Sequence, residues 1–433
     1  MKNFIEELKW RGMLQDVMPG TEALLLSKMQ KGYIGFDPTA DSLGIGNMVQ
    51  IMTLLHFQQC GHKPIALVGG ATGMVGDPSG KSLERNLLSL ETLHHNIACQ
   101  KVQLEKFLNF DSGENSAEIV NNYDWFKEFN FLDFIREVGK YLTVNYMMSK
   151  DSVKNRLDKE SGEGMSFTEF TYQLIQGYDF YYLWKEMDVK LQMGGSDQWG
   201  NITTGSELIR KKDGGEAFAL TTPLIKKADG SKFGKTESGN IWLDPKRTSP
   251  YQFYQFWLNS SDADVENYIK IFTLLDKSTI DALVAQHKEA PHERLLQKTL
   301  AKDITIRVHS AADYESVLKV SEVLFGSVDA VTLQGFDENM FELMCRELPF
   351  FEISASDFGD QCNIIELLAT HTTILKSKSE ARNAIKGNSI SINKAKITDF
   401  EHNVQKDQLL QGKYLFVENG KKNKILVRVH SVL

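Results

Sequence analysis

The sequence predicts an α/β fold: a parallel-sheet domain with a helical insertion, then an α-helical domain and a small α+β domain. Three observations predict it. Short apolar runs at 65–70 (IALVGG) and 189–193 (VKLQM) have the pattern of buried strands, and each runs into a glycine-rich loop. Helical spacing appears over 47–59 and from about 202 to 212, so strands and helices alternate as they do around a parallel sheet. Beyond 249 the strand signals give way to helical ones, such as SPYQFYQFWLN and HERLLQKTLAKDITIRVH.

The elements follow in chain order. Residues 33–47, YIGFDPTADSLGIGN, read as a short apolar strand, a turn with Asp and Pro, and a glycine-framed helix start. The helix over 47–59 stops before Gly61. Residues 123–159 turn helical and aromatic-rich, an insertion whose apolar stripe serves either as internal core or as a subunit interface. A mixture of Gly, Ser, Asp and Val near 326–335 marks a linker. The last segment carries a helix (SKSEARNAIK), a turn at Gly387-Asn388, a strand (SISIN) and a hairpin turning at Asn419-Gly420. The resulting domains are 1–245, with the insertion at 123–160 and a polar loop at 226–240; 246–325, helical; 326–355, linker; and 356–433.

Composition excludes several classes. Hydrophobic content of 42% and charged content of 24% suit a globular protein. No run of roughly 18 apolar residues occurs, so no membrane span or membrane partner is expected. The charged, amphipathic start MKNFIEELKWRGM lacks a secretory pattern. Cys60, Cys99, Cys345 and Cys362 have no metal-like spacing and suit reduced thiols, which predicts a cytoplasmic protein. The net charge of −8 hides an asymmetry: 371–433 holds 12 Lys/Arg against 5 Asp/Glu, a balance of +7 that leaves −15 elsewhere. A basic tail on an acidic body suits a selective RNA partner; a solvated basic face gives the same count.

Three further segments carry chemistry. In 226–240, KKADGSKFGKTESGN, Lys232 and Lys235 flank Gly234 and Thr236 follows: a cationic loop suited to a triphosphate, or a surface hairpin with solvated lysines. In 194–201, GGSDQWGN, adjacent glycines allow close ligand approach and Asp197 can accept from a ribose, or cap the next helix. In FTYQLIQGYDF, Tyr172, Gln176 and Asp179 share one helix face, which is a polar pocket wall or a half-exposed face.

YIGFDPTADSLGIGN resembles the first (HIGH-type) signature of class I aminoacyl-tRNA synthetases, and KFGKT, about 185 residues later, resembles the second (KMSKS-type). Gln192, Gln198, Trp199 and the residues around 33–47 resemble the tyrosyl family in particular, and the likeness runs over most of the chain, from about 4 to 429. The resemblance implies a Rossmann-like catalytic domain, an anticodon-binding helical domain and a ribosomal-protein-like RNA-binding domain. It implies tyrosine activation by ATP with release of pyrophosphate, then transfer to the 3′ end of tRNA-Tyr by a homodimer. ATP would enter as substrate with Mg²⁺, with no resident metal or prosthetic group.

The same resemblance assigns roles. Asp179 with Tyr33 would hold the substrate phenol; Tyr172, Gln176 and Asp77 the α-ammonium; Gln192 and Gln198 complete the amino-acid site. Gly35, Asp37, Gly44, Gly46, Asn47, Gly195, Asp197 and Lys235 would bind ATP. Thr39, Lys81, Arg85, Lys232, Lys235 and Thr236 would act on the phosphates, although Lys81 and Arg85 also read as exposed surface cations. In LKSKSEARNAIKG, a helix start with Lys376, Lys378, Ser379 and Arg382 would offer cations and a capping hydroxyl to RNA, or form a basic structural cap. Gly44 stands where the family usually has its first signature histidine. Losing one transition-state donor costs about 3 kcal/mol, so a Gly44→His variant is expected to be faster. The alternatives are a tryptophanyl-type ligase and a non-catalytic RNA-binding protein on the same scaffold.

Overall fold

The computed structural model describes residues 2–79, 88–157, 165–231, 233–236, 239–325, 328–420 and 423–430. It contains two compact units, Met1–Thr248 with Gln255–His309, and Ser249–Tyr254 with Ser310–Leu433. Among the described residues no helix is long and apolar enough to cross a membrane.

In the first unit β1 (Asp16–Val17), β2 (Lys31–Phe36), β3 (Lys63–Val68), β4 (Glu118–Asn121), β5 (Val189–Gly195) and β6 (Phe218–Thr222) form one sheet. Its order is β1-β6-β5-β2-β3-β4, parallel throughout except for the short β1 against β6. In β3 Pro64 through Val68 are all buried, as a strand covered on both faces requires, which is why the run has no polar alternation. From β2 the chain steps outward through β3 to β4, then returns with β5 to the other side of β2. The sheet order therefore reverses between β2 and β5, where such sheets bind ligands at the strand carboxyl ends.

Helix Met48–Gln59 follows β2 and is buried over most of its length, between the sheet and helices of this unit. Helix Phe167–Met187 precedes β5 and starts with a capping box, Ser166 with Glu169. It packs against helix Trp199–Asp213 so closely that a Cβ on Gly205 would lie 2.7 Å from Cβ of Phe180.

The insertion consists of short helices, including Tyr123–Phe126, Phe131–Glu137 and Val144–Met148. Its apolar stripe divides. Trp125, Phe126, Phe129 and Phe134 pack onto Tyr178 or Tyr182, whereas Phe131 and Leu132 are 64% and 74% exposed.

Helices Asp262–Phe272, Lys277–Glu289 and Leu295–Val308 also belong to the first unit. The buried Arg11 guanidinium ties the N-terminal helix Phe4–Arg11 to the end of the first of them and the turn beyond, donating to the carbonyls of Lys270 (2.6 Å), Thr273 (3.0 Å) and Leu275 (2.7 Å). A short hairpin, β7 (Lys235–Thr236) with β8 (Gly239–Asn240), ends the loop at 226–240.

The second unit begins with helix Ala311–Phe325. Residues 330–354, where composition suggests a linker, form helices Ala330–Gln334 and Glu338–Glu347 and the strand β9 (Phe350–Ser354). The burial of Leu333, Met340, Phe341 and Met344 accounts for that order. β10 (Gln361–Asn363) pairs with β13 (Asn403–Gln405). The main sheet runs β12 (Ala395–Lys396), β11 (Ile390–Ile392), β14 (Tyr414–Asn419), β15 (Asn423–His430), β9. Asn419 pairs with Asn423 across the hairpin, and Gly420 takes a φ of 72°, the left-handed conformation glycine favours.

Candidate active site

The carboxyl ends of β2 and β5 open into a cavity of about 300 Å³. β2 contributes Tyr33 and Gly35, then Asp37 and Thr39; β5 contributes Gln192, Gly194 and Gly195, then Asp197 and Gln198. Helix Phe167–Met187 lays Tyr172, Gln176 and Asp179 along one wall, and Gly46, Asn47 and Asp77 complete the lining. All seven residues expected at the amino acid are thus brought together, along with six of the expected nucleotide residues and Thr39.

One end of the cavity is acidic and deeply buried. Asp179 is 1% exposed; its Oδ1 accepts from the Trp125 indole N–H at 2.9 Å and its Oδ2 from the Asn122 amide at 3.0 Å. Burial outweighs both donors and pushes this carboxyl up to about 8. Burial, then the nearby Asp179, holds the Tyr33 phenol well above its ordinary value. The Tyr33 hydroxyl has no partner among the described residues, and neither do the side-chain carbonyls of Gln50, Gln176 and Gln192. Four unpaired buried polar atoms around one cavity require a polar ligand or water to satisfy them.

The opposite wall is a hydrogen-bonded carboxylate array. Tyr172 donates its only proton to Oδ2 of Asp37 at 2.8 Å, and Thr72 donates to Oδ1 of Asp37 at 2.7 Å. The Tyr172 oxygen is therefore left to accept, and its phenol is pushed far up by burial and by Asp37 and Asp77. Asp77 accepts from Gln198 at 2.7 Å and from the Ser79 N–H at 2.9 Å. A phenol acceptor beside two carboxylates suits an ammonium group. At Gly195 a Cβ would come within 2.6 Å of the Asp197 carboxylate, so only glycine admits a ligand beside that side chain.

The helix start at Gly46–Asn47 faces the cavity, but Gly44 does not line it. Gly44 instead forms an antiparallel bridge with Trp242 and donates its N–H to Oδ1 of Asn47 at 3.1 Å. A Cβ at Gly44 would lie 3.3 Å from the Ile241 carbonyl oxygen. In the polar loop, Phe233 is held among Phe256, Trp257, Tyr268 and Phe272 at ring-centroid distances of 5.2–6.0 Å. Lys81, Arg85 and Lys232 lie outside the described residues, as do the side chains of Lys235 and Thr236.

Residues 28–326 match the family model described as tRNA synthetases class I (W and Y), and 340–427 match the tyrosine–tRNA ligase SYY-like C-terminal domain. A curated tyrosine–tRNA ligase of Bacteroides thetaiotaomicron is 59% identical over 98% of this chain and 99% of its own length. One of Cytophaga hutchinsonii is 60% identical over 99% of this chain and all of its own. The chain belongs to the tyrosine–tRNA ligase family.

Among solved structures, a C-terminally truncated mitochondrial tyrosyl-tRNA synthetase of Aspergillus nidulans superposes with a TM-score of 0.67 at 30% identity, covering 75% of this chain and 95% of that one. The enzyme of Archaeoglobus fulgidus, TM-score 0.54 at 15% identity, covers 73% of this chain and 100% of that one; it shares the fold. Relatives with this identity and coverage are named for tyrosine, which leaves the tryptophanyl and non-catalytic alternatives without support.

As a member of this family the chain holds site residues that sequence reasoning missed. Asn122 and Trp125 orient Asp179, Thr72 orients Asp37, and Ser79 with Asn201 supports Asp77. Only their position gave a signal for the first pair: Asn122 and Trp125 lie just past the carboxyl end of β4.

At the expected RNA-facing helix, Lys378–Lys386, the cap is Ser377 rather than Ser379: its hydroxyl accepts from the Glu380 N–H at 3.2 Å. Lys376, Ser379 and Arg382 are exposed, while the exposed Lys378 pairs with Glu366 at 2.5 Å. The helix therefore offers fewer free cations than its sequence suggests.

Proposed function

We infer that this chain is a tyrosine–tRNA ligase. It activates tyrosine with ATP to tyrosyl-adenylate, releasing pyrophosphate, and transfers the tyrosyl group to tRNA-Tyr. The observation that carries the choice of amino acid is the buried pair of Asp179 and Tyr33, with the Tyr33 hydroxyl unpaired. A substrate phenol donates to Asp179 and accepts from Tyr33; phenylalanine would leave both groups unsatisfied at a cost of about 1–3 kcal/mol each.

The residue roles follow from the same cavity. The Tyr172 oxygen, Gln176 and Asp77 take the α-ammonium, and Gln192 and Gln198 complete the amino-acid site. The substrate carboxylate then points toward the nucleotide side and attacks the α-phosphorus, so the protein supplies position and charge rather than a nucleophile. ATP lies along Gly35, Asp37, Gly46, Asn47, Gly195 and Asp197, with Thr39, Thr236 and the cations Lys81, Arg85, Lys232 and Lys235 at the phosphates. Mg²⁺ enters as part of the ATP substrate; the carboxylates of Asp37 and Asp77 already accept hydrogen bonds from protein donors.

The remaining assignments rest on resemblance together with surface chemistry. The helical stretch at 246–325 reads the anticodon, and the basic residues 371–433 contact tRNA backbone. The exposed apolar side chains Phe131, Leu132, Ile135, Val144 and Phe167 support a homodimer through the insertion. Reduced cysteines support a cytoplasmic enzyme. The test is charging of tRNA-Tyr by labelled tyrosine: aminoacylation with tyrosine and none with tryptophan is expected, and charging by tryptophan instead overturns the reading.

A further inference from the structure

Residues 41–45 and 241–247 are bound to each other by a ladder that leads straight into the nucleotide-facing wall. Leu243 N–H donates to the Leu43 carbonyl at 2.9 Å, Ile45 N–H donates to the Ile241 carbonyl at 3.0 Å, and Gly44 bridges Trp242 between them. Asp244 N–H adds a bond to the Ser42 hydroxyl at 3.1 Å. Immediately after Ile45 come Gly46 and Asn47, which line the cavity. Whatever holds 241–244 against 41–45 therefore sets the position of that helix start.

The outer edge of this ladder is closed by one side chain. Arg247 Nη1 lies 3.1 Å from Oδ1 of Asp41, and the Arg247 guanidinium stacks over the Trp242 ring at 4.2 Å from its centroid. The Trp242 backbone N–H also donates to the Thr248 hydroxyl at 3.0 Å. A planar cation at ion-pair distance from a carboxylate that also stacks on an indole through its face is a combination lysine does not reproduce. An isolated surface ion pair contributes little to stability, so a contact of this kind is better placed to set geometry than to hold the fold.

We propose that Arg247, acting through Asp41 and Trp242, is a positioning residue for ATP in the adenylation step. It keeps the ladder closed and so keeps Gly46 and Asn47 in register with the phosphates, without touching substrate. The tyrosine end of the cavity, built on Tyr33, Asp179 and the helix Phe167–Met187, lies outside its reach. The proposal rests on the tyrosine and ATP reading given above. A wild-type enzyme inactive in tyrosine-dependent exchange would defeat that reading, whereas an active wild type with an indifferent Arg247 variant would defeat only the proposal.

The test uses the full chain and compares Arg247→Met, Arg247→Lys and Asp41→Asn with wild type in tyrosine-dependent ATP–pyrophosphate exchange. Misplacing a reacting group by a fraction of an ångström to 1 Å costs about 10-fold to 100-fold, so Arg247→Met is expected to lose about 10-fold or more in kcat/KM for ATP. Tyrosine affinity measured without ATP and the melting temperature stay at the wild-type values. Asp41→Asn gives the same split, the double variant is no worse than either single one, and Arg247→Lys recovers only part of the loss. Wild-type ATP kinetics in Arg247→Met, or a loss of tyrosine affinity as large as the loss toward ATP, would overturn the proposal. Should Arg247→Met fold poorly, Asp41→Asn and Arg247→Lys decide it on the same readouts.

Discussion

The indole N–H of Trp125 donates to Oδ1 of Asp179 at 2.9 Å, so a residue of the helical insertion sets the acceptor geometry at the far end of the substrate cavity. Trp125 also stacks on Tyr182, with ring centroids 4.5 Å apart, one turn beyond Asp179 on the same helix. Trp125→Phe keeps much of the stacking and removes the donor. Losing the donor leaves a buried carboxyl oxygen unpaired at a cost of about 1–3 kcal/mol, so the KM for tyrosine is expected to rise about 10-fold with little change for ATP. Steady-state exchange kinetics against each substrate check this.

Tyr33→Phe separates stability from specificity. The hydroxyl is buried without a partner, and removing such a group relieves a penalty of about 1–3 kcal/mol. The substrate-free variant is expected to melt at a higher temperature than wild type while its preference for tyrosine over phenylalanine falls. Calorimetry and paired exchange assays measure the two effects on the same sample.

Asp179 makes the substrate-free protein less stable as pH rises from the ordinary carboxylate range toward about 8. Its folded carboxyl is held up at about 8, above the ordinary 3.8, so the folded state binds the proton more tightly than the unfolded chain. The contribution to stability is full below the unfolded value and is lost as pH rises toward about 8. Melting temperature is therefore expected to fall across this range, and to fall less in Asp179→Asn, whose side chain does not ionise. Saturating tyrosine, by donating to the carboxylate, reduces the slope in wild type. Thermal melts at several pH values with and without tyrosine test the sign.

Gly44 is a question of rate. With φ of −98° its backbone accepts any residue, but a Cβ must displace the Ile241 carbonyl slightly. Gly44→Ala is expected to be slower in exchange than wild type, because it perturbs the ladder without adding a donor. Gly44 itself does not line the cavity, so Gly44→His, which bears the same steric cost, is expected to exceed both only through an imidazole long enough to reach the phosphates past Gly46. Pre-steady-state adenylate formation by the three proteins distinguishes the steric effect from the donor effect.

Much of this site was legible in the sequence because the first signature and GGSDQWGN sit at strand carboxyl ends, where glycines and polar residues interrupt an apolar run. Tyr33, Asp37, Gln192 and Asp197 could be placed from β2 and β5 alone, and Tyr172, Gln176 and Asp179 from helical spacing. What stayed hidden were contacts between distant segments. Nothing in the spacing joins Trp125 or Asn122 to Asp179, or Arg247 to Asp41, since those pairings depend on how the insertion and the segment at 241–247 fold back. The helix at Lys378–Lys386 shows a local limit: Ser377 and Ser379 are equally good caps by residue type, and backbone geometry selects Ser377. The segment at 330–354 carried linker-like residues at its start, and its amphipathic helix Glu338–Glu347 is apparent only once Met340, Phe341 and Met344 have a surface to bury against.

The central claim is that Asp179 and Tyr33 select a phenol. It is tested most directly by ATP–pyrophosphate exchange in the wild-type protein with tyrosine, phenylalanine and tryptophan supplied in turn. The account predicts exchange with tyrosine and at least about 10³-fold lower kcat/KM with phenylalanine, with none from tryptophan. Comparable exchange with phenylalanine, or exchange driven by tryptophan, would contradict it.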